Sequence, residues 1–198
     1  MRIGYSVEGS TDRALLTGLR NRWCPHAELI EGQFRGQTET RRRAEVRNIC
    51  RELVHRDASV IIFLTDANRA SWREVRRREE QWCPAEFRGR AVFGVCDRNV
   101  ESWLCSDPGY PAAQFGRGVA EFQCEDPKGP LEAGFGVTGF DKREEAIARF
   151  VAEAPLRRWM TNPSFQDFYD QLWQRSKELG CKLENLRAAA GYKPGGAL

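Results

Sequence analysis

The stretch Ser59-Val60-Ile61-Ile62-Phe63-Leu64-Thr65 constrains this chain more than any other. It is apolar without alternation, rich in β-branched residues and too short for an ordinary helix, so it reads as a strand covered on both faces. Such a strand belongs in a parallel sheet between two helical layers, and parallel neighbours need long crossover connections. The flanking sequence supplies them. Residues 2–7 read as a strand broken by Glu8-Gly9-Ser10. Ser10 or Thr11 then caps a helix to about Trp23, with Leu15, Leu16 and Leu19 on one face. A second strand over 27–34 ends at Gly32 and Gly36. Thr38 opens a long helix to about Arg56, its apolar face made by Ala44, Val46, Ile49, Cys50, Leu53 and Val54. Asp66-Ala67-Asn68 ends the apolar strand, a helix follows from Ser71 to Trp82, residues 90–96 form a fourth strand, and Asn99 or Val100 starts a short helix through Leu104.

This order predicts an α/β fold over residues 1–107, with a mainly parallel four-stranded sheet flanked by helices. Residues 108–140 are rich in Gly and Pro and read as a long loop region or small insertion. Helices at 142–154 and 164–179 form a C-terminal helical extension, so 108–190 packs on the core and 191–198 is a flexible tail.

Composition removes several classes of function. With 198 residues, 41% hydrophobic and 30% charged, the chain suits one globular domain. No apolar run approaches the roughly 18–20 residues of a membrane span, so no membrane partner is expected. The seven cysteines are scattered without a Cys-x-x-Cys pair, which argues against a zinc ribbon and for reduced thiols in a cytoplasmic protein. The only histidines are His26, in a connection, and His55, in a charged helical stretch, so a histidine-dependent triad has few candidates.

Charge is informative by location. Of 31 basic residues 26 are arginine, and the chain up to position 98 carries 19 basic against 14 acidic residues, although the net charge is only +3. Arginine makes forked contacts to phosphate. Arg41, Arg42, Arg43, Arg47 and Arg51 on the second helix, and Arg73, Arg76, Arg77 and Arg78 on the third, have glutamates at pairing distance and read first as solvated faces. Arg69, Trp72 and Arg73 stand closer to a strand end and are the better candidates for nucleic-acid contact. The other tryptophans read as core.

Acidic residues recur at the carboxyl ends of the strands, where open parallel sheets bind ligands. Glu8 follows the first strand with Asp12 four residues on; Asp66 ends the third with Asn68 beyond it; the fourth leads through Asp97 to Glu101. Each acid singly suits a helix N-terminus or cap. Clustered, they repel unless a cation or a proton is shared, and hard oxygen donors without histidine or cysteine select Mg²⁺ or Mn²⁺. Gly9 would allow a tight turn and a close approach by phosphate.

Val7-Glu8-Gly9-Ser10-Thr11-Asp12 resembles the Glu-Gly-x-x-Asp signature of Toprim domains, closest to the nuclease type of overcoming-lysogenization-defect (OLD) proteins and short stand-alone bacterial Toprim-like proteins. Residues 60–68 take the place of that family's hydrophobic strand and Asp-x-Asp. Residues 99–107 resemble a Glu-x-Trp-Leu-x-x-Asp segment, and 162–168 a Pro-Ser-Phe helix. The resemblance implies that Glu8 and Asp12 bind one divalent metal or act as general base. It makes Asp66 the central ligand, gives Glu101 a second metal or the remainder of the first, and calls for a late lysine near the scissile phosphate. Lys128 is the candidate, although a solvated loop lysine would look the same. The second acid of Asp-x-Asp is Asn68 here, which can ligate but brings no charge.

The resemblance implies a metal-dependent nuclease acting on DNA or RNA in bacterial defence. No Gly-x-x-x-x-Gly-Lys-Ser/Thr loop is present, so any ATPase partner would be a separate chain. A homo-oligomer is compatible with the sequence. Two other readings stand beside this one: a catalytically degenerate Toprim module that binds nucleic acid or a protein, and a nucleotide-binding or nucleotide-processing regulator using the same crevice.

Overall fold

The computed structural model describes residues 1–32, 39–136 and 139–187. Gly36, Thr38, the end of the second strand as read from sequence and the tail 191–198 lie outside them, as do the side chains of Arg41 and Arg42. The elements run β1 (Arg2–Ser6), α1 (Ser10–Trp23), β2 (Glu28–Glu31), α2 (Glu39–His55), β3 (Ala58–Asp66), α3 (Trp72–Trp82), α4 (Ala85–Arg88), β4 (Ala91–Cys96) and α5 (Val100–Leu104). There follow α6 (Gly109–Phe115), a 3-10 turn (Val119–Phe122), α7 (Lys128–Phe135), α8 (Phe140–Glu153), α9 (Leu156–Trp159) and α10 (Pro163–Leu179).

The strands form one all-parallel sheet in the order β2-β1-β3-β4. β3 is central and apolar on both faces. Val60, Ile62 and Leu64 pack with Leu15, Leu16 and Leu19 of α1 and Phe165 and Phe168 of α10, whereas Ile61 and Phe63 pack with Ile49, Cys50 and Leu53 of α2 and with Phe93. Ala44, assigned to the apolar face of α2 from sequence, is exposed. The chain leaves β1 for β2 on one side of the sheet and reaches β3 on the other. The carboxyl ends of β1 and β3 therefore flank a topological switch point, the place at which open α/β sheets bind ligands.

Two contacts fix the outer layers. α1 lies against α8 at Gly18, where a Cβ would stand 2.5 Å from the Ala148 carbonyl oxygen and 2.6 Å from Val151 Cβ; only glycine allows that approach. On the free side of β4 one side chain covers Phe93. Gln171 of α10 accepts from Phe93 N at 2.9 Å and donates to Phe93 O at 3.0 Å, as a neighbouring strand would. This blunts an edge that would otherwise template pairing with another chain.

Two expectations are corrected. Residues 108–140 are mostly helical where described: α6, the 3-10 turn and α7 collect Phe115, Phe122 and Phe135 around Phe150 of α8. Their glycines, read as loop texture, include Gly116 and Gly136, which end α6 and α7 in the left-handed conformation (φ 64° and 54°) that favours glycine. The thiols are also not all free: Cys24 at the end of α1 is joined to Cys181 after α10. These two residues are 157 apart in sequence, a pairing that cysteine spacing alone gives no means of finding. No helix among the described residues is long and apolar enough to cross a membrane.

Candidate functional site

The strand-end acids act on one another electrostatically around Asp66. Asp66 is the last residue of β3. Period-two alternation from Val60, Ile62 and Leu64 turns it to the face that carries α1 and α10. Burial pushes its carboxyl up to about 8, helped by the charges of Asp12, Glu8 and Glu101, against a lowering by the Val100 N–H. All four carboxylates therefore lie in one electrostatic neighbourhood. Among the described residues Asp66 Oδ1 is buried without a hydrogen-bond partner. Such an atom is costly unless a cation or proton satisfies it.

Asp12 is buried in the first turn of α1, 5% exposed, and accepts the Gly9 N–H at 2.8 Å. Burial drives its carboxyl up to about 7; the Gly9 bond opposes this, and Glu8 and Glu101 add to it. Gly9 is extended (φ −147°), a conformation open to any residue, so the turn does not depend on glycine's freedom. Its N–H is already given to Asp12. Glu8 is exposed at the rim.

Glu101 sits in the first turn of α5 and is 6% exposed. Burial raises its carboxyl; its own backbone hydrogen bond and the Lys128 ammonium hold it down. Lys128, 27 positions later at the start of α7, thus reaches the same site from the region that the sequence left as loop. Cys96, buried beside Asp66 in the register of β3 and β4, is held neutral, chiefly by burial and then by the Asp66 charge.

Asn68 differs from an acid in more than charge. It is exposed, takes a left-handed backbone (φ 54°) and donates its side-chain N–H to the Asp66 carbonyl at 3.3 Å. Asparagine is one of the few residues that adopt this conformation readily. Arg69 and Arg73 are exposed beside it. Arg73 lies 4.4 Å over the Trp72 ring, and Trp72 packs half-buried against Ala67, Val75 and Val95. Arg76 is committed to Asp167 (2.8 Å) and Glu80 (2.6 Å). Arg43, Arg47 and Arg51 are exposed on α2, on the opposite layer from α1.

The segments 99–107 and 162–168, noted in the sequence only by resemblance, are joined by a role that the sequence did not assign. Ser164 Oγ accepts from Trp103 Nε1 (2.7 Å) and from Asp97 N (3.2 Å), and donates to Asn162 Oδ1 (2.9 Å). One buried hydroxyl thereby ties the turn after β4 to the start of α10. The short polar segment before an aromatic run was the only available signal.

The donor set fits a hard divalent cation: oxygen only, anionic, with one buried oxygen unsatisfied. Among the described residues no group of three or more His, Cys, Asp or Glu is arranged to hold an ion. Comparison with protein-family models, curated proteins and solved structures finds no match.

Proposed function

We propose that this chain is a divalent-metal-dependent nuclease of Toprim type that hydrolyses phosphodiester bonds in DNA or RNA. The observation that carries the reading is the convergence of Asp66, Asp12, Glu8 and Glu101 at the switch point, with Asp66 Oδ1 buried and unsatisfied. Asp66 and Glu8 would hold Mg²⁺ or Mn²⁺, with Glu101 able to complete the set. When bound, such an ion supplies charge neutralisation on the phosphate and lowers the pKa of a water. Asp12, titrating near neutrality, is poised to take a proton as a general base. Lys128, whose ammonium acts on Glu101, would supply a cation to the leaving oxygen. Arg69 and Arg73 would track phosphates along the exposed rim. Action beside a separately encoded ATPase, in defence against phage or plasmids, extends the same proposal from the sequence resemblance.

Asn68 favours a second reading. Its amide is turned back on its own strand end, and a module that binds nucleic acid without cutting needs no charge at that position.

Both are decided by incubating the chain with plasmid, single-stranded DNA and tRNA in Mg²⁺ or Mn²⁺ and then in EDTA. The nuclease reading expects metal-dependent cleavage that falls at least about a hundredfold in E8A and D66A. Cleavage that survives both substitutions removes the proposed site. Salt-sensitive binding without cleavage, with or without an ATPase partner, leaves the binding module.

A further inference from the structure

Residues 123–127 form the link between the 3-10 turn and α7, and Arg98 and Asn99 hold it to the turn after β4. Arg98 pairs with Glu125, touching both its carboxylate and its carbonyl oxygen. Asn99 donates its side-chain N–H to Asp126 Oδ1 at 3.3 Å, and the same Oδ1 accepts Lys128 N at 3.3 Å. The other end of the Asn99 amide accepts Ser102 N at 3.2 Å and so caps α5, the helix that carries Glu101.

One amide therefore has two jobs. Its oxygen fixes the helix of an acid, and its nitrogen fixes the loop of a lysine. Arg98 is held in the left-handed region (φ 69°), where a long side chain is uncommon. In that conformation its carbonyl receives Asn68 N at 2.7 Å while its guanidinium reaches Glu125. The backbone of one residue is thus tied to the end of β3 and its side chain to the Lys128 loop.

We infer that Asn99, assisted by Arg98, is a positioning residue that holds Lys128 beside Glu101 and makes the 123–127 link part of the site. The inference deepens the proposed nuclease reading and rests on it for its catalytic consequence only; the clamp itself is a property of the chain.

The decisive variants exchange donor and acceptor. N99D keeps an oxygen to cap α5 but loses the N–H to Asp126 and sets two carboxylates face to face. In N99D/D126N the new amide at 126 donates to the new carboxylate at 99, its oxygen still accepts Lys128 N, and the net charge is that of the parent. Hydrogen exchange followed by mass spectrometry on the full chain should show the 122–128 segment exchanging about tenfold faster in N99D and near the parental rate in the double variant. E125A, which leaves Asn99 untouched, should loosen the same segment. Where cleavage is measured, kcat should fall about tenfold in N99D with KM nearly unchanged, and recover in the double variant.

Parental exchange in N99D, or failure of D126N to restore it, overturns the clamp. A chain that cleaves nothing under any metal would remove the nuclease reading instead, and exchange alone would still decide the role of Asn99.

Discussion

At the residue scale the acids of the crevice are unfavourable in the metal-free fold. Asp66 and Asp12 titrate near 8 and near 7, far above the value of 3.8 of an unperturbed aspartate. A folded-state pKa raised above the unfolded one gives stability that is fully present below about pH 4 and lost as pH rises through 7 to 8. In EDTA the melting temperature should therefore fall from pH 5 to pH 8. If about 2 kcal/mol of the penalty survives relaxation of the site, the fall is about 4–8 °C. D66N should flatten that dependence and melt above the parent at pH 8. Mg²⁺ should raise the melting temperature of the parent at pH 8 and do little at pH 5, where the ligand atoms carry protons. Identical pH profiles for parent and D66N would show that Asp66 is not the strained group. Asn68 belongs to this scale too. Its left-handed backbone and its bond to the Asp66 carbonyl give the turn a reason for asparagine that has nothing to do with ligation.

At the element scale the sheet is finished by a side chain. Gln171 satisfies both backbone groups of Phe93 on the open side of β4. Q171A should leave a donor and an acceptor without partners, costing about 1–3 kcal/mol in urea unfolding. It should also expose an edge for pairing, read as a concentration-dependent rise in mass by light scattering. A Q171A chain as stable and as monodisperse as the parent would show that the edge needs no cover. The same helix brings Ser164 under the turn after β4, so α10 both closes the sheet and supports the site.

At the scale of the whole molecule the C-terminal segment is fastened back on α1. Cys24 joins Cys181, Arg22 pairs with Glu184 at 2.8 Å, Tyr169 Oη donates to the Glu184 carbonyl at 2.6 Å, and Leu186 is buried. A crosslink closing so long a loop restricts the unfolded chain by up to about 5 kcal/mol in the chain-entropy account. C24S/C181S should melt about 5–10 °C lower than the oxidised parent and match the parent treated with dithiothreitol. Equal melting with and without reductant would deny the crosslink any weight. The fastening lies at the opposite end of α1 from Asp12, so the cleavage proposed for the crevice should be unaffected at moderate temperature.

The sequence by itself determined the elements and their sidedness. The unbroken apolar run of β3 demanded cover on both faces, its alternation aimed Asp66 toward α1, and the acids at three strand ends announced the crevice, because these follow from local periodicity and from where parallel strands must end. Other features depend on partners far along the chain. Glycines that looked like loop texture turned out to be helix caps once α6 and α7 had a phenylalanine cluster to bury against, and Asn99 could be read as a cap of α5 but not as the anchor of Lys128. The Gln171 edge cover and the Cys24–Cys181 pairing left no local trace at all, and the Ser164 tie left only a short polar segment before an aromatic run. A residue's own neighbours set its conformation, whereas what its polar atoms meet is set by packing, and packing is decided only when distant segments close on the same core.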